Sequence, residues 1–131
     1  MEAPHHIQPV LAIALPTAPA SAAKARTAVI RSFAGLPDEV LDDAQLLVSE
    51  AVSDVVTTSG QPPDEPIRLT GYVAGTTLRI EVEQEGRRRE LGEAADGHLG
   101  HTILQQVATR WGHDHRGESS ITWFELDAPL G

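Results

Sequence analysis

Ser49-Glu50-Ala51-Val52-Ser53-Asp54-Val55-Val56 lies inside the strongest helical pattern of this chain and decides its fold. The pattern predicts a helix from Asp38 to about Thr58, with Pro37 directly before it. Apolar residues recur along it at helical spacing, so one side of the helix should face a core. These residues are Val40, Leu41, Ala44, Leu47, Val48, Ala51, Val52, Val55 and Val56.

Two carboxylates lie beside this apolar stripe. Glu50 and Asp54 are four residues apart, so they share a helix face. Like charges at this spacing repel mildly unless a cation lies between them, and a hydrated Mg²⁺ that bridges to a phosphate is one such cation. Periodicity alone also fits a solvated acidic face, which is the commoner case.

Composition narrows the classes of protein. The chain has 131 residues, 40% of them apolar and 4% aromatic, which fits one globular domain with a core of Leu, Val, Ile and Ala. The net charge of −9 argues against non-specific binding to nucleic acid or anionic lipid, but it leaves a basic protein partner open. Because there is no cysteine, disulfides, thiolate metal sites and cysteine nucleophiles are excluded.

The apolar run from Pro9 to Pro19 is short, is interrupted by proline and lacks a basic start. It therefore does not read as a signal peptide or a membrane span, and we expect a cytoplasmic protein. We expect a loose tail over residues 1–6 and a single domain over residues 7–127.

The remaining pattern predicts alternating strands and helices. We expect a β-α-α-β-β-α-β order, which places helices on one face of a mixed, mostly antiparallel sheet in an α+β, two-layer sandwich. The predicted strands are 7–15, 67–73, 78–82 and 121–126, and the other helices are 22–33, with Ser21 as its N-cap, and 99–111. Residues 84–97 read as a polar loop and 112–117 as a turn or short strand.

Several motifs, in order and spacing, resemble one known family. They are Ala25-Arg26, the segment Asp42 to Val56, Arg110-Trp111-Gly112 and the tryptophan in Trp123-Phe124-Glu125-Leu126. The chain resembles the ATP-binding domain shared by histidine kinases, gyrase and a class of heat-shock chaperones (the Bergerat-type fold). Within that group it is most similar to the small anti-sigma-factor serine kinases of actinobacteria, over about Ile7 to Leu126.

The resemblance implies a nucleotide site, which this sequence alters. Glu50 corresponds to the general base of the family. Asp54 stands where the family has an asparagine that ligates Mg²⁺; a carboxylate can also ligate the metal, but it adds negative charge near the triphosphate. Gln84 replaces the aspartate that accepts a hydrogen bond from the adenine amino group, and Gly86 of the same motif is retained.

Two further motif positions differ. The phosphate-covering lid of the family has Gly-x-Gly-Leu, and the corresponding residues here are His98-Leu99-Gly100-His101, of which only Gly100 matches. The family also has a threonine two residues before the last-strand tryptophan, and Ile121 occupies that position. We therefore expect ATP and Mg²⁺ binding to be weak or lost.

Two functions follow from the resemblance. The first is a regulatory protein that acts mainly by binding a sigma factor or an anti-anti-sigma-type regulator. The alternative is an active serine kinase that phosphorylates an anti-anti-sigma-type partner. Family members pair and contact sigma factors through the first helix and its neighbouring surface, which here carries Lys24, Arg26 and Arg31, and a homodimer is compatible with this.

Three smaller features have their own interpretations. His98, His101, His113 and His115 could supply metal ligands for a third, less favoured function as a metal-dependent enzyme, although solvated histidines are commoner. The run Arg87 to Arg89 reads as a solvated loop or as a phosphate contact. We expect Trp111 and Trp123 to be core residues.

Overall fold

The computed structural model describes residues 8–58, 66–85 and 99–128. Three helices and five strands follow one another as β-α-α-β-β-α-β-β. They are β1 (Leu11–Pro16), α1 (Ser21–Ser32), α2 (Asp38–Thr58), β2 (Pro66–Ala74), β3 (Thr77–Glu85), α3 (Leu99–Val107), β4 (Arg110–Arg116) and β5 (Ser119–Asp127). The α+β architecture predicted from the sequence is confirmed, and a fifth strand lies where residues 112–117 were predicted as a turn or short strand.

Helix α2 has the predicted bounds, and its apolar stripe forms the centre of the core. Asp38 and Glu39 lie in its first turn, where their negative charges interact favourably with the positive end of the helix dipole and stabilise the helix. Seven residues of the stripe are buried, namely Val40, Ala44, Leu47, Val48, Ala51, Val52 and Val55. Each large aliphatic side chain buried in this way contributes about 1.5–3 kcal/mol to folding before entropy is counted.

The sheet has the strand order β1-β2-β3-β5-β4. Among the described residues all four strand pairings are antiparallel, in keeping with the mostly antiparallel sheet that the sequence predicts. Gly75 and Gly117 occupy the turns between β2 and β3 and between β4 and β5, with φ of 63° and 64°. Glycine suits both turns because other L-residues are strained at positive φ.

Register defines two faces of the sheet, which we name inner and outer. The inner face, against the helices, carries Ile80 and Val82 of β3 opposite Phe124 and Thr122 of β5. Its apolar residues and those of all three helices form one buried cluster. Because side chains alternate along a strand, the residues between them lie on the outer face, which includes Arg79, Glu81, Trp123 and Glu125.

Strand β4 is the main departure from the predicted elements. The last helix ends at Val107 rather than at Trp111, and Arg110 to Arg116 pair with β5. The sequence Arg-Trp-Gly-His-Asp-His-Arg has no apolar alternation, because this strand lies at the edge of the sheet and five of its seven residues are exposed. Pairing with β5, rather than local pattern, therefore defines it as a strand.

The N-terminal part differs in smaller ways. Strand β1 begins at Leu11 rather than at residue 7, and residues 1–7 lie outside the described part. Ser21 is the first residue of α1 and not its N-cap, because its hydroxyl donates to the carbonyl oxygen of Pro16 at 2.6 Å. In the described residues, no helix is long and apolar enough to cross a membrane.

Candidate functional site

The two carboxylates predicted to carry chemistry lie on one side of α2. Glu50 and Asp54 are one helical turn apart, and both are half-buried. Between and beside them, Ala51, Val52 and Val55 face the core. The structure therefore places both carboxylates at the margin of the core, beside the inner face of the sheet, which α2 contacts through β3 and β5.

A polar cluster lies on that inner face. Gln84, near the end of β3, is 2% exposed, and its Nε2 donates to Thr17 Oγ1 at 3.5 Å. Ser120 of β5 lies opposite Gln84, and Thr122 lies two residues further along the same face. We name Thr17, Gln84, Ser120 and Thr122 the polar cluster. Its members are buried amid an otherwise apolar layer, which is unusual unless they are hydrogen-bonded or receive a ligand.

Hydrogen bonding in the polar cluster is incomplete. Thr122 Oγ1 lies 3.1 Å from His113 Nδ1 of β4, and the imidazole of His113 meets the indole of Trp111 edge-on at 5.6 Å. The hydroxyl of Ser120 is buried and has no hydrogen-bond partner among the described residues. A buried hydroxyl without a partner costs about 1–3 kcal/mol, so Ser120 is a point at which a polar group could be received.

Register corrects one of the predicted site positions. Ile121 lies on the outer face, opposite Glu83 and Asp114. Gln84 lies on the inner face, so Gln84 and Ile121 cannot contact one ligand. The inner-face hydroxyl near Gln84 is supplied by Thr122, and the predicted loss of a hydroxyl at Ile121 is wrong, because a shift of one residue moves a strand side chain to the opposite face.

The other predicted positions are only partly described. Gly86 and His98 lie outside the described residues, as does the run Arg87 to Arg89. Gly100 lies in the first turn of α3, and the side chains of His101 and its neighbours in that turn are outside the description. The described residues include no group of three or more His, Asp or Glu side chains that could hold a metal ion.

The basic region on α1 is divided by the structure. Lys24 and Arg31 are exposed, whereas Arg26 is half-buried and its Nη1 donates to Ser49 Oγ at 2.8 Å. Ser49 directly precedes Glu50, so Arg26 links α1 to the turn of α2 that carries the candidate base. The exposed positive charge of α1 is therefore that of Lys24 and Arg31.

The outer face carries an ion-pair network that the sequence did not predict. Arg79 is its centre: Nε lies 2.9 Å from Glu81 Oε2, and Nη1 lies 2.9 Å from Glu125 Oε2. Arg110 extends the network, with Nε at 2.6 Å from Glu125 Oε1 and Nη2 at 2.6 Å from Asp127 Oδ1. The guanidinium of Arg79 also lies 4.4 Å from the ring centroid of Trp123, within cation–π range.

The ion-pair network lowers the pKa of two of its carboxylates, those of Glu125 and Asp127. Burial alone would raise the pKa of Glu125, but hydrogen bonds from Arg110 and Arg79 outweigh burial and hold that pKa below its ordinary value. The hydrogen bond from Arg110 likewise lowers the pKa of Asp127. Both carboxylates therefore stay charged and hold β3, β4 and β5 together across the outer face.

Two of the motifs that carry the family resemblance, Arg110-Trp111-Gly112 and the tryptophan at Trp123, contribute to the packing of the fold. A Cβ at Gly112 would lie 2.9 Å from Trp123 Cζ2, so only glycine lets the indole lie over β4. Trp123 is accordingly on the outer face between Gly112 and Arg79, and its prediction as a core residue is wrong. Trp111 is on the inner face, packed against the core as predicted.

Comparison with known proteins gives a structural likeness. No family profile matches the chain, and no curated protein sequence matches it significantly. The fold is similar to the crystal structure of the RsbU and RsbW domains of Rv1364c from Mycobacterium tuberculosis, with a TM-score of 0.74 and 16% sequence identity. The match covers 95% of this chain and 33% of that one, so this chain spans about a third of the neighbour's length. The chain therefore shares the fold of that structure over nearly its whole length.

Proposed function

We propose that this protein is an anti-sigma-type regulatory module that acts by binding another protein, with an ATP site that is weak or lost. The likeness of its fold to an RsbW-like domain supports the regulatory class. The proposal that the ATP site is weak or lost rests on Gln84. Where the resemblance implies a carboxylate for the adenine amino group, the chain has an amide that is 2% exposed and directed at Thr17.

The cost to nucleotide binding can be bounded. A hydrogen bond to a charged group contributes about 1.5–3 kcal/mol, which corresponds to roughly tenfold to a hundredfold or more in affinity. Asp54 adds a negative charge where a triphosphate would lie and weakens binding further. Thr122 retains an inner-face hydroxyl, so the loss rests on Gln84 and Asp54 and not on the last strand.

Protein binding is supported by the exposed charge of α1. Lys24 and Arg31 are exposed on a chain whose net charge is −9. A local basic patch on an acidic protein favours an acidic partner surface and speeds its encounter at low salt. The partner class we propose is a sigma factor or an anti-anti-sigma-type regulator of the same organism.

A direct binding experiment tests this proposal. The purified chain is titrated against the sigma factors and anti-anti-sigma-type proteins of its own organism by biolayer interferometry. We expect one of them to bind, and the pair Lys24→Glu and Arg31→Glu to weaken binding by about tenfold. The matched control is Arg68→Glu, an exposed arginine on the outer face of β2, which should leave affinity unchanged. Absence of binding to every candidate, or equal loss in the control, would count against the module.

The kinase alternative has one observation in its favour, namely that Glu50 is retained and is half-buried on α2. If the protein transfers phosphate, Glu50 is the general base that activates the serine hydroxyl of the partner. Glu50→Gln should then abolish ³²P transfer from ATP to that partner while circular dichroism and partner affinity stay unchanged. Transfer at the original rate by this variant would exclude the role.

A further inference from the structure

Lys24 is the only lysine of this chain, and every other residue among its ten Lys and Arg is arginine. It is exposed and closes the first turn of α1, where its backbone N–H donates to the carbonyl oxygen of Ala20 at 3.3 Å. The ε-amine of lysine is a target of acylation, whereas the guanidinium of arginine is not deprotonated in proteins. Amine-directed acyl chemistry on the side chains of this protein therefore has a single target.

The surroundings of Lys24 leave its ammonium group accessible. The residues one helical turn away, Ala20, Thr27 and Ala28, are small and uncharged. No Asp or Glu occurs from Ala3 to Pro37, and within the described parts of the chain no ion pair or hydrogen bond engages the ammonium group. An acyl donor can therefore approach this side chain without displacing a carboxylate.

We propose that Lys24 is an acylation site through which an activated acyl group, carried as a thioester or an acyl phosphate, regulates the binding surface of α1; this inference rests on the proposed function. The neutral ε-amine attacks the carbonyl carbon of the donor, and an amide C–N bond forms. The C–S or C–O bond to the leaving group breaks, the thiol or phosphate departs, and the proton of the amine passes to it or to solvent. The chain has no cysteine, so no thiol side chain competes for the acyl group.

Acylation changes the charge of the surface that we propose for partner binding. The exposed positive charge of α1 is that of Lys24 and Arg31, so loss of one ammonium group halves it. Arg31 is not acylated, so the surface has two defined charge states. The modification also removes a cation close to the N-terminus of α1, where the helix dipole disfavours positive charge. The fold of α1 is therefore not weakened when the binding surface changes.

Treatment of the purified chain with an acyl donor tests the chemistry. One sample receives acetyl phosphate and a parallel sample receives acetyl-CoA, and peptide mass spectrometry maps the modified residues. We expect acetylation of Lys24, distinguished from that of the α-amine, and a urea midpoint no lower than that of the untreated chain. Reaction with either donor supports the proposal, and the faster donor identifies the source of the acyl group. An unmodified Lys24 in both samples would overturn it.

Binding of the treated chain tests the regulation. Biolayer interferometry is repeated with the sigma factor or anti-anti-sigma-type protein that binds the untreated chain. At low salt, acetylation should slow association by about twofold to threefold, with a smaller effect at high salt, where the lost charge is already screened. Lys24→Arg is the matched control, because it keeps the charge and cannot be acylated, so the same treatment should leave its association rate unchanged.

The outcomes separate this inference from the proposed function. Equal association of the treated and untreated chains, or an equal loss for the treated Lys24→Arg variant, would overturn the regulatory role of Lys24 while the proposed function stands. If no candidate partner binds the untreated chain, the proposed function fails. Mass spectrometry of the chain isolated from its own organism then decides the modification: acylated Lys24 supports the site, and unmodified Lys24 under every growth condition overturns it.

Discussion

At the scale of single residues, Trp123, Gly112 and Arg79 form the most specific packing of the outer face. The indole lies between the guanidinium and a glycine that leaves no room for a side chain. Trp123 Nε1 is buried and has no hydrogen-bond partner in the part of the chain that the structure describes, so the position of the indole depends on packing and on the cation–π contact. The Arg-Trp-Gly motif therefore serves the fold, whatever the chain binds.

Replacement of Gly112 tests this packing. Gly112→Ala places a Cβ 2.9 Å from Trp123 Cζ2, so the indole must move, and we expect a loss of about 1–3 kcal/mol in the free energy of unfolding. Gly35→Ala is the matched control, because nothing lies within 4 Å of its Cβ and its φ is not positive. Urea denaturation measures both, and equal stability of the two variants would refute the account of Gly112.

The sequence predicted which residues could form the candidate site, but it did not predict on which face of the sheet every one of them lies. Glu50, Asp54 and Gln84 could be placed from helical spacing and from motif order, and the inner-face position of Gln84 follows from the register. Ile121 could not be placed, because a one-residue uncertainty in strand register reverses the face of a side chain. Glu81 is two residues from Arg79 on the same strand and so shares its face, but Glu125 of β5 is brought to Arg79 only by strand pairing, which the sequence did not reveal.

At the scale of elements, β4 is attached to the sheet by backbone pairing with β5 and by the ion pairs of Arg110. Its sequence alone reads as a turn or a short strand, and its edge position explains this ambiguity, because only inner-face residues such as Trp111 need to be apolar. Helix α2 is the opposite case, since seven of the nine residues of its apolar stripe are buried and its bounds follow from the sequence. Local pattern is therefore informative for central elements and poor for edge strands.

Low pH should weaken the ion pairs that attach β4 to β5 and so lower the stability of the protein. The pKa of Glu125 is lower in the folded state than in the unfolded state, so its contribution to stability is present above the unfolded pKa and is lost as pH falls through the folded pKa. We expect urea midpoints to fall as pH drops below about 4. Glu125→Gln should lower stability at pH 7 by on the order of 1 kcal/mol and flatten this acid dependence. A variant as stable as the parent at pH 7, with the same acid dependence, would contradict the role of the pair.

At the scale of the whole molecule, the two faces of the sheet carry different kinds of residues. The inner face and α2 hold the polar cluster, Glu50 and Asp54, where the resemblance implies nucleotide chemistry. The outer face is a network of satisfied ion pairs, and the β1 edge is uncharged and apolar. The single-layer sheet with helices on one face could be predicted from the order of the elements, whereas the polar cluster required the register of β3 against β5.

Isothermal titration calorimetry of Mg-ATP against the purified chain tests the central claim most directly. The account predicts a dissociation constant of roughly 10⁻⁴ M or weaker, and tightening by about tenfold or more when Gln84→Asp is combined with Asp54→Asn. Ile121→Thr is the control and should leave the dissociation constant unchanged, because that side chain lies on the outer face. Low-micromolar binding by the unaltered chain would contradict the account.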